Sequence, residues 1–113
     1  MPGDPRAVRT LGEAFDLRDP TVHTWELELI WAAVEEGLVR FDEHAAQAAI
    51  DDFIPVSSIF RVIQVATRVS KDIDLELGRQ LGINFEGKDS AGKWIRVKVS
   101  WFGGYVVATV HRL

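Results

Sequence analysis

The sequence predicts an α+β fold in which N-terminal helices pack on a small antiparallel sheet that ends in a β-hairpin. Apolar residues recur at helical spacing in the first half of the chain and alternate with polar residues in the last quarter. Two glycines, Gly103 and Gly104, separate the last two alternating runs. With 113 residues, 47% of them hydrophobic, the chain fits a single α+β domain with one core, expected over residues 21–113.

The first helix is expected over residues 24–36, TWELELIWAAVEE, with Thr24 as its cap and Gly37 just after its end. Its apolar positions have the i, i+3, i+4, i+7 spacing of one helix face: Leu27, Ile30, Trp31 and Val34. The next four residues, LVRF, predict a short strand. The domain should therefore open with a helix followed at once by a strand.

Two further helices are expected before the main sheet. Residues 42–52, DEHAAQAAIDD, predict a helix capped by Asp42, and their alanines allow close packing of another element. Pro55 interrupts this pattern, and residues 56–67, VSSIFRVIQVAT, predict the third helix. Its inward residues are expected to be Ile59, Val62, Ile63 and Ala66.

Strands are expected at residues 68–73 and 82–86, and the C-terminal hairpin follows them. The hairpin is predicted to have a two-residue turn at Gly103–Gly104, because glycine readily adopts the positive φ that such turns need. That turn would fix four cross-strand pairs: Phe102 with Tyr105, Ser100 with Val107, Lys98 with Thr109, and Arg96 with His111.

The predicted register gives the hairpin two different faces. The core face would carry Ile95, Val97, Val99, Trp101, Val106, Ala108 and Val110. The other face would carry Trp94, Arg96, Lys98, Ser100, Tyr105, Val107, Thr109 and His111. This second face is half polar and cationic, with aromatic residues at both ends, and it is the main candidate for a site.

Charge and composition limit the classes of function. The net charge is −4, but residues 1–85 have a net charge of −7 and residues 86–113 one of +3, so a basic C-terminal quarter follows an acidic body. The chain has no cysteine, which excludes disulfides and thiolate metal sites. Residues 1–20 are polar and predict a flexible tail without a signal peptide, and no apolar run reaches the roughly 20 residues of a membrane span. A cytoplasmic protein is expected.

Short motifs along residues 24–113 resemble a known family. They are the helix ending in EEGLVRF, the DEHA helix start, and the glycine-bounded strands closing on VATVHR. Together they resemble domain-of-unknown-function family 4258, and the closing strands also resemble BrnT-type toxins, both near the RelE-like toxin superfamily. Five residues fit the pattern: His44, Ala45, Gly87, Gly92 and Thr109. Ala48 and Asp52 stand where the family usually has arginines.

The resemblance implies a toxin-like ribonuclease of a toxin–antitoxin or defence system, acting on RNA or a ribosome-bound message. Such an endoribonuclease would be independent of metal and of any cofactor. Cleavage needs groups that move protons and cations that stabilise the charge of the phosphorane. The candidate catalytic residues are His111, Arg96, Lys98, Tyr105 and His44. An ordinary solvated sheet face is the alternative explanation of the same hairpin residues.

Other residues have two interpretations each. His44 is either an acid–base group or a brace for the junction of strand and helix. The loop around Lys88 and Lys93 either approaches a phosphate or is a plain hairpin loop. The candidate substrate-binding residues are Trp94, Lys88, Lys93 and Thr109. The paired acids lack a converging pair of histidines, so no metal site is predicted.

A different class of function remains open. The acidic body and the missing family arginines favour a non-catalytic protein-binding module, such as an antitoxin, an immunity-like protein or a subunit of a defence complex. Exposed tryptophans would suit such a partner surface, and the partner would be a cognate protein or a second copy of the chain. No membrane partner is expected.

Overall fold

The computed structural model describes residues 21–72 and 82–113. The elements are α1 (Thr24–Glu35), β1 (Arg40–Phe41), α2 (Glu43–Asp51), α3 (Val56–Val65), β2 (Arg68–Asp72), β3 (Gly82–Lys88), β4 (Trp94–Trp101) and β5 (Tyr105–Arg112). The predicted α+β class is confirmed. The predicted N-terminal tail, residues 1–20, lies outside the described residues.

The five strands form one sheet in the order β1-β5-β4-β3-β2. The short strand β1 runs parallel to β5, and every other pair of neighbours is antiparallel. The described helices cover one side of this sheet: α2 packs on β5, α3 packs on β3 and β4, and α1 packs on α3. The core lies between these layers, and its largest fully buried apolar side chains include Phe85, Ile59, Ile63 and Ile83.

Two helices end in the same backbone motif. After α1, the N–H of Gly37 donates to Val34 O at 3.1 Å, and that of Leu38 donates to Ala33 O at 2.9 Å. After α2, Phe53 donates to Ile50 O at 3.1 Å, and Ile54 donates to Ala49 O at 2.8 Å. Both are Schellman ends, which place one residue at positive φ. That residue is Gly37 in the first case (φ 71°) and Phe53 in the second (φ 55°).

Of the first two helices, α2 has the predicted cap and α1 does not. Asp42 caps α2 as predicted, because its Oδ2 accepts the backbone N–H of His44 at 3.0 Å. The cap of α1 is His23 rather than Thr24, and Glu26 Oε1 accepts the His23 N–H at 2.9 Å. Glu26, three residues after the cap, therefore satisfies the backbone N–H of the cap residue itself.

The hairpin turn has three residues, Phe102 to Gly104, and not two. Tyr105 pairs with Trp101 instead of Phe102, and Val107 pairs with Val99 instead of Ser100. Within this longer turn the Phe102 N–H donates to Gly104 O at 2.9 Å, and Gly103 adopts a positive φ of 66°. The predicted two-residue turn and its two nearest pairs are therefore wrong.

A β-bulge restores the predicted register farther from the turn. Between Lys98 and Val99 the register shifts by one, and Ala108 is the extra residue of β5. Lys98 then pairs with Thr109, and Arg96 pairs with His111, as predicted. The longer turn and the extra residue offset each other, so the distant half of the hairpin keeps the predicted pairs.

The shifted half exchanges residues between the two faces. Tyr105 and Val107 were expected on the polar face, but they pair with Trp101 and Val99 on the core face and are buried. The Tyr105 ring meets the Trp101 ring edge to face, with centroids 5.0 Å apart. Val106 was expected in the core face, but it pairs with Ser100 on the opposite side. A slip of one residue has this effect because side chains alternate between faces.

Candidate functional site

The side of the sheet that the helices leave uncovered is the candidate site, and we call it the open face. Three rows of paired residues cross β2 to β5 on this side, and Lys88 and Trp94 form a further pair. The rows are Arg68, Glu86, Arg96 and His111; Ser70, Asn84, Lys98 and Thr109; and Asp72, Gly82, Ser100 and Val106. The first row includes the exposed His111, whereas Ser100 and Val106 in the third are buried.

Most of the predicted site residues meet on the open face. Arg96 lies directly across from His111, and Lys98 lies across from Thr109 in the next row. Residues directly opposite in an antiparallel pair have neighbouring side chains, so these four form one patch. Trp94 and Lys88 stand at the edge of the same surface.

The cations of the open face are paired with acids from neighbouring strands. Glu86 Oε2 lies 2.7 Å from Arg96 Nε, and Glu86 Oε1 lies 3.8 Å from Arg68 Nη1. Asp72 Oδ2 lies 3.0 Å from Lys98 Nζ. The prediction missed both acids because it considered the hairpin alone, although Glu86 follows from the register of β3 against β4. With Lys88 the face holds four cations and two acids, a net charge of +2.

Trp94 is flanked by two of these cations. The guanidinium carbon of Arg68 lies 5.3 Å from the centroid of the indole ring, and Lys88 Nζ lies 5.8 Å from it. Both distances fall within the range of a cation–π interaction. The indole ring is thus already in contact with two cations of the open face.

Tyr105 does not belong to the open face. Its side chain lies in the core layer, where burial, helped by the negative charge of Glu26, raises the pKa of Tyr105 to about 12. A phenol with such a pKa holds its proton at neutral pH. The prediction that Tyr105 stands beside Arg96 and His111 is therefore wrong, and the reason is the three-residue turn.

His44 also lies outside the rows of the open face. It occupies the first turn of α2, a helix that packs into the core through Ala45 and Ala49. Its backbone N–H bonds Asp42, and its exposed side chain makes no hydrogen bond to another described residue. The backbone of this residue thus contributes to the start of α2, at the junction of strand and helix.

The loop between β3 and β4 is organised by Asp89. Its Oδ1 accepts the backbone N–H groups of Ala91 and Lys93, both at 2.9 Å, and its Oδ2 lies 3.0 Å from Arg112 Nη1. These contacts, the Lys93 N–H first and Arg112 next, hold the pKa of Asp89 below its ordinary value. Because an internal carboxylate takes these N–H groups, the loop is organised as a hairpin turn and not as a phosphate cradle. Lys93 remains exposed.

A groove of about 590 Å³ lies between the C-terminal half of α1 and the β4–β5 turn. Its walls include Leu29, Ala33, Trp101 and Tyr105. Arg40 stands at its border, where Nη2 donates to Phe102 O at 2.6 Å. No sequence pattern predicts this groove, because it forms between elements that are distant along the chain.

A buried ion pair joins the helix layer to the sheet. Glu26 Oε2 lies 3.0 Å from Lys71 Nζ, and the two side chains are only 1% and 2% exposed. Glu26 belongs to the first turn of α1, and Lys71 lies on the edge strand β2 in the same row as Ile83 and Val99. The sequence alone did not single out Lys71 as a buried residue. The alternation of side chains along β2 nevertheless places it on the same side of the sheet as Val69.

Within residues 21–72 and 82–113 no group of histidines and acids is arranged to hold a metal ion. The helices of the described part of the chain are all too short or too polar to cross a membrane.

No family model, no curated protein and no solved structure matches this chain. The resemblance to family 4258 and the RelE and BrnT toxins therefore stays a prediction.

Proposed function

We propose that this chain is a toxin-like RNA-targeting domain that acts in the cytoplasm as a metal-independent endoribonuclease. The observation that supports the proposal is the patch on the open face, where Arg96 lies opposite His111 and Lys98 lies opposite Thr109. The patch faces away from the helices, and it carries net positive charge on a protein whose net charge is −4. Positive charge at this surface favours a polyanionic substrate.

The chemistry would need only the residues of this patch. His111 would accept the proton of a ribose 2′-hydroxyl as its oxygen attacks the adjacent phosphorus. The bond to the 5′-oxygen then breaks, which leaves a 2′,3′-cyclic phosphate and a 5′-oxyanion that takes a proton from water to become a 5′-hydroxyl. Arg96 and Lys98 would stabilise the extra negative charge of the phosphorane. Their ion pairs with Glu86 and Asp72 orient both cations before substrate binds.

The proposal is tested by inducing the wild-type chain beside the variant Arg96→Ala/His111→Ala and following growth and total RNA integrity. Wild type should arrest growth and cleave RNA, and the variant should do neither. A second variant, His44→Ala, is the matched control, because that histidine is also exposed but lies outside the open face. Circular dichroism of each purified variant confirms folding. Cleavage that persists in the double variant removes the assignment of the site.

A second candidate is a non-catalytic binding module, such as an antitoxin, an immunity-like protein or a subunit of a defence complex. The observation that favours it is that acids of the open face neutralise part of its positive charge. Glu86 contacts two arginines, and Asp72 contacts Lys98. In this case the wild-type chain would be harmless when induced alone. Purified protein incubated with a fluorescent single-stranded RNA would then leave the RNA intact.

A further inference from the structure

The corner between α2 and α3 exposes apolar side chains beside acidic ones. We define the α2–α3 corner as Ile50, Asp51, Asp52, Phe53 and Val56, all of which are exposed. The Phe53 side chain is the most prominent, with 89% of the residue surface accessible. Ile50 and Val56 are exposed in the same corner, and exposed apolar residues that occur as a group indicate an interaction surface.

The backbone of Phe53 is also unfavourable. Its φ of 55° lies in the left-handed region, where the side chain of an L-residue crowds its own backbone. The equivalent position after α1 is Gly37, which takes φ 71° without that cost. The same chain therefore uses glycine for this geometry at one helix end and a fully exposed phenylalanine at the other.

The charge of the corner is unfavourable as well. A helix C-terminus has partial negative charge, yet α2 ends in Asp51 and Asp52 with no basic residue in its last turn. Arg112 is the nearby cation that contacts this end, where Nη2 donates to Asp52 O at 2.9 Å. The same guanidinium already pairs with the Asp89 carboxylate, and the Asp51 carboxylate accepts a hydrogen bond from the neutral Gln47 Nε2 at 2.8 Å.

We propose that the α2–α3 corner is a docking surface for a partner protein that presents an apolar pocket bordered by lysine or arginine. The Phe53 ring would fill the pocket, with Ile50 and Val56 beside it. Asp51 and Asp52 would face the cations of the border. Such a partner removes both unfavourable features at once, because it buries the ring and neutralises the carboxylates at the helix end. A protruding aromatic side chain requires a pocket in the partner.

This surface is independent of the proposed ribonuclease site. The corner belongs to the helix layer, whereas Arg96, Lys98 and His111 lie on the opposite side of the sheet. A partner could therefore occupy the corner while the open face stays accessible. The proposal holds whether or not the chain cleaves RNA.

The experiment is site-specific photo-crosslinking of the full chain in cells of its source organism. The photoreactive residue p-benzoylphenylalanine replaces Phe53 in one variant. In the matched control it replaces Phe102, another exposed phenylalanine that is 54% accessible and lies in the β4–β5 turn. We expect one protein adduct that is specific to position 53, with the crosslinked peptide mapped by mass spectrometry to a segment rich in lysine or arginine. Asp51→Lys/Asp52→Lys should abolish the adduct.

A binding titration with the purified partner completes the test. Phe53→Gly should weaken binding at least about tenfold, as expected for the loss of a central aromatic anchor. Because this substitution relieves backbone strain, the variant should be at least as stable as wild type, and lost binding could not be attributed to misfolding. Phe102→Ala should leave the affinity unchanged.

Several results would overturn the proposal. These are an adduct no stronger at position 53 than at position 102, an adduct with a second copy of this chain, and an adduct with RNA. Crosslinking to an acidic segment, or crosslinking that survives the charge reversal at Asp51 and Asp52, would equally reject a pocket with a basic border.

Discussion

At the scale of single residues, Tyr105 shows how far one position in a register can change a role. Paired with Phe102 it would have stood beside the cations of the open face, where a phenol can stack on a base. Paired with Trp101 it lies in the core, at 5% exposure. The chemistry of the side chain is the same in both cases, and only the surrounding dielectric differs.

The burial of Tyr105 predicts an abnormal titration. It is the one tyrosine of the chain, so the ultraviolet absorbance of tyrosinate reports on it alone. The native protein should titrate near pH 12, and the urea-unfolded protein near the ordinary pKa of 10. Because the folded pKa is the higher one, the neutral phenol stabilises the fold fully below pH 10, and this contribution is lost as the pH rises from 10 through 12.

Tyr105→Phe is the control for this titration, since it should remove the absorbance change and reduce the loss of stability in alkali. A native transition near pH 10 would show that the phenol is solvated and that the three-residue turn does not carry it into the core.

Phe53 predicts a gain in stability on substitution. The left-handed conformation destabilises the folded state by about 1–2 kcal/mol for an L-residue other than glycine. Glycine avoids this cost, but it loses more conformational entropy on folding, which offsets about 0.5–1 kcal/mol of the gain. Phe53→Gly should therefore raise the free energy of unfolding by about 0.5–1 kcal/mol, measured by urea denaturation. Gly37→Ala, at the equivalent position, should lower it by about 1 kcal/mol. A loss of stability in Phe53→Gly would mean that the ring contributes to packing after all.

At the scale of elements, the β4–β5 hairpin combines a turn with a bulge. The turn contains three residues instead of the expected two. At the bulge, Ala108 has no pairing partner on β4. The first shift moves Tyr105 and Val107 into the core, and the second leaves Thr109 and His111 on the open face. The strand can thus contribute Tyr105 and Val107 to the core near the turn and still present polar residues on the open face at its end.

The pairing of β3 with β4 depends on a glycine at the start of β3. A Cβ at Gly82 would clash with the backbone carbonyl of Val99 and lie 2.7 Å from Ser100 Oγ, so the two strands would have to separate. Gly82→Ala should lower the free energy of unfolding by about 1–3 kcal/mol, as measured by urea denaturation.

Gly87 provides the matched control in the same strand, because its added Cβ would meet Val62 at 3.6 Å, an ordinary contact. Gly87→Ala should stay within about 0.5 kcal/mol of wild type. Equal effects of the two substitutions would contradict the close approach at Gly82.

At the scale of the whole molecule, three groups of charged residues differ in how far their charges are neutralised and in how deeply they are buried. The open face keeps a net charge of +2 through partial neutralisation, and the α2–α3 corner keeps an excess of carboxylates. The Glu26–Lys71 pair is buried between the layers and links the start of α1 to the edge strand β2. Exposed pairs contribute little to stability, whereas a buried pair is costly to break.

The buried pair predicts strong coupling between its two residues. Lys71→Met leaves the Glu26 carboxylate in the core without its cation, and it should cost about 3–5 kcal/mol of unfolding free energy. In Glu26→Gln/Lys71→Met no charge is buried, and the amide oxygen can still accept the His23 N–H, so most of the loss should be recovered. Urea denaturation of wild type, both single variants and the double variant gives the coupling energy. Additive effects would show that the two side chains do not depend on each other.

The fold class, the order of the described elements and several of their ends were predictable from the sequence. The helices follow from apolar spacing along contiguous residues, and Asp42 and Gly37 act within one turn of the helix that they begin or end. The pair of Arg96 with His111 was also predictable, although only because the longer turn and the bulge cancel. The ribonuclease assignment and the family resemblance remain predictions, since neither follows from the fold.

The sequence by itself determined what depends on neighbouring residues: the helix and strand types, the alternation along β4, and the surplus of positive charge near the C-terminus. Only the tertiary structure decided which acids neutralise the cations, which face receives Tyr105, and where Lys71 finds Glu26. The physical reason is that these contacts join residues from separate strands and layers. Their distances depend on turn length, bulges and packing in three dimensions, and a periodic pattern of side chains does not encode them.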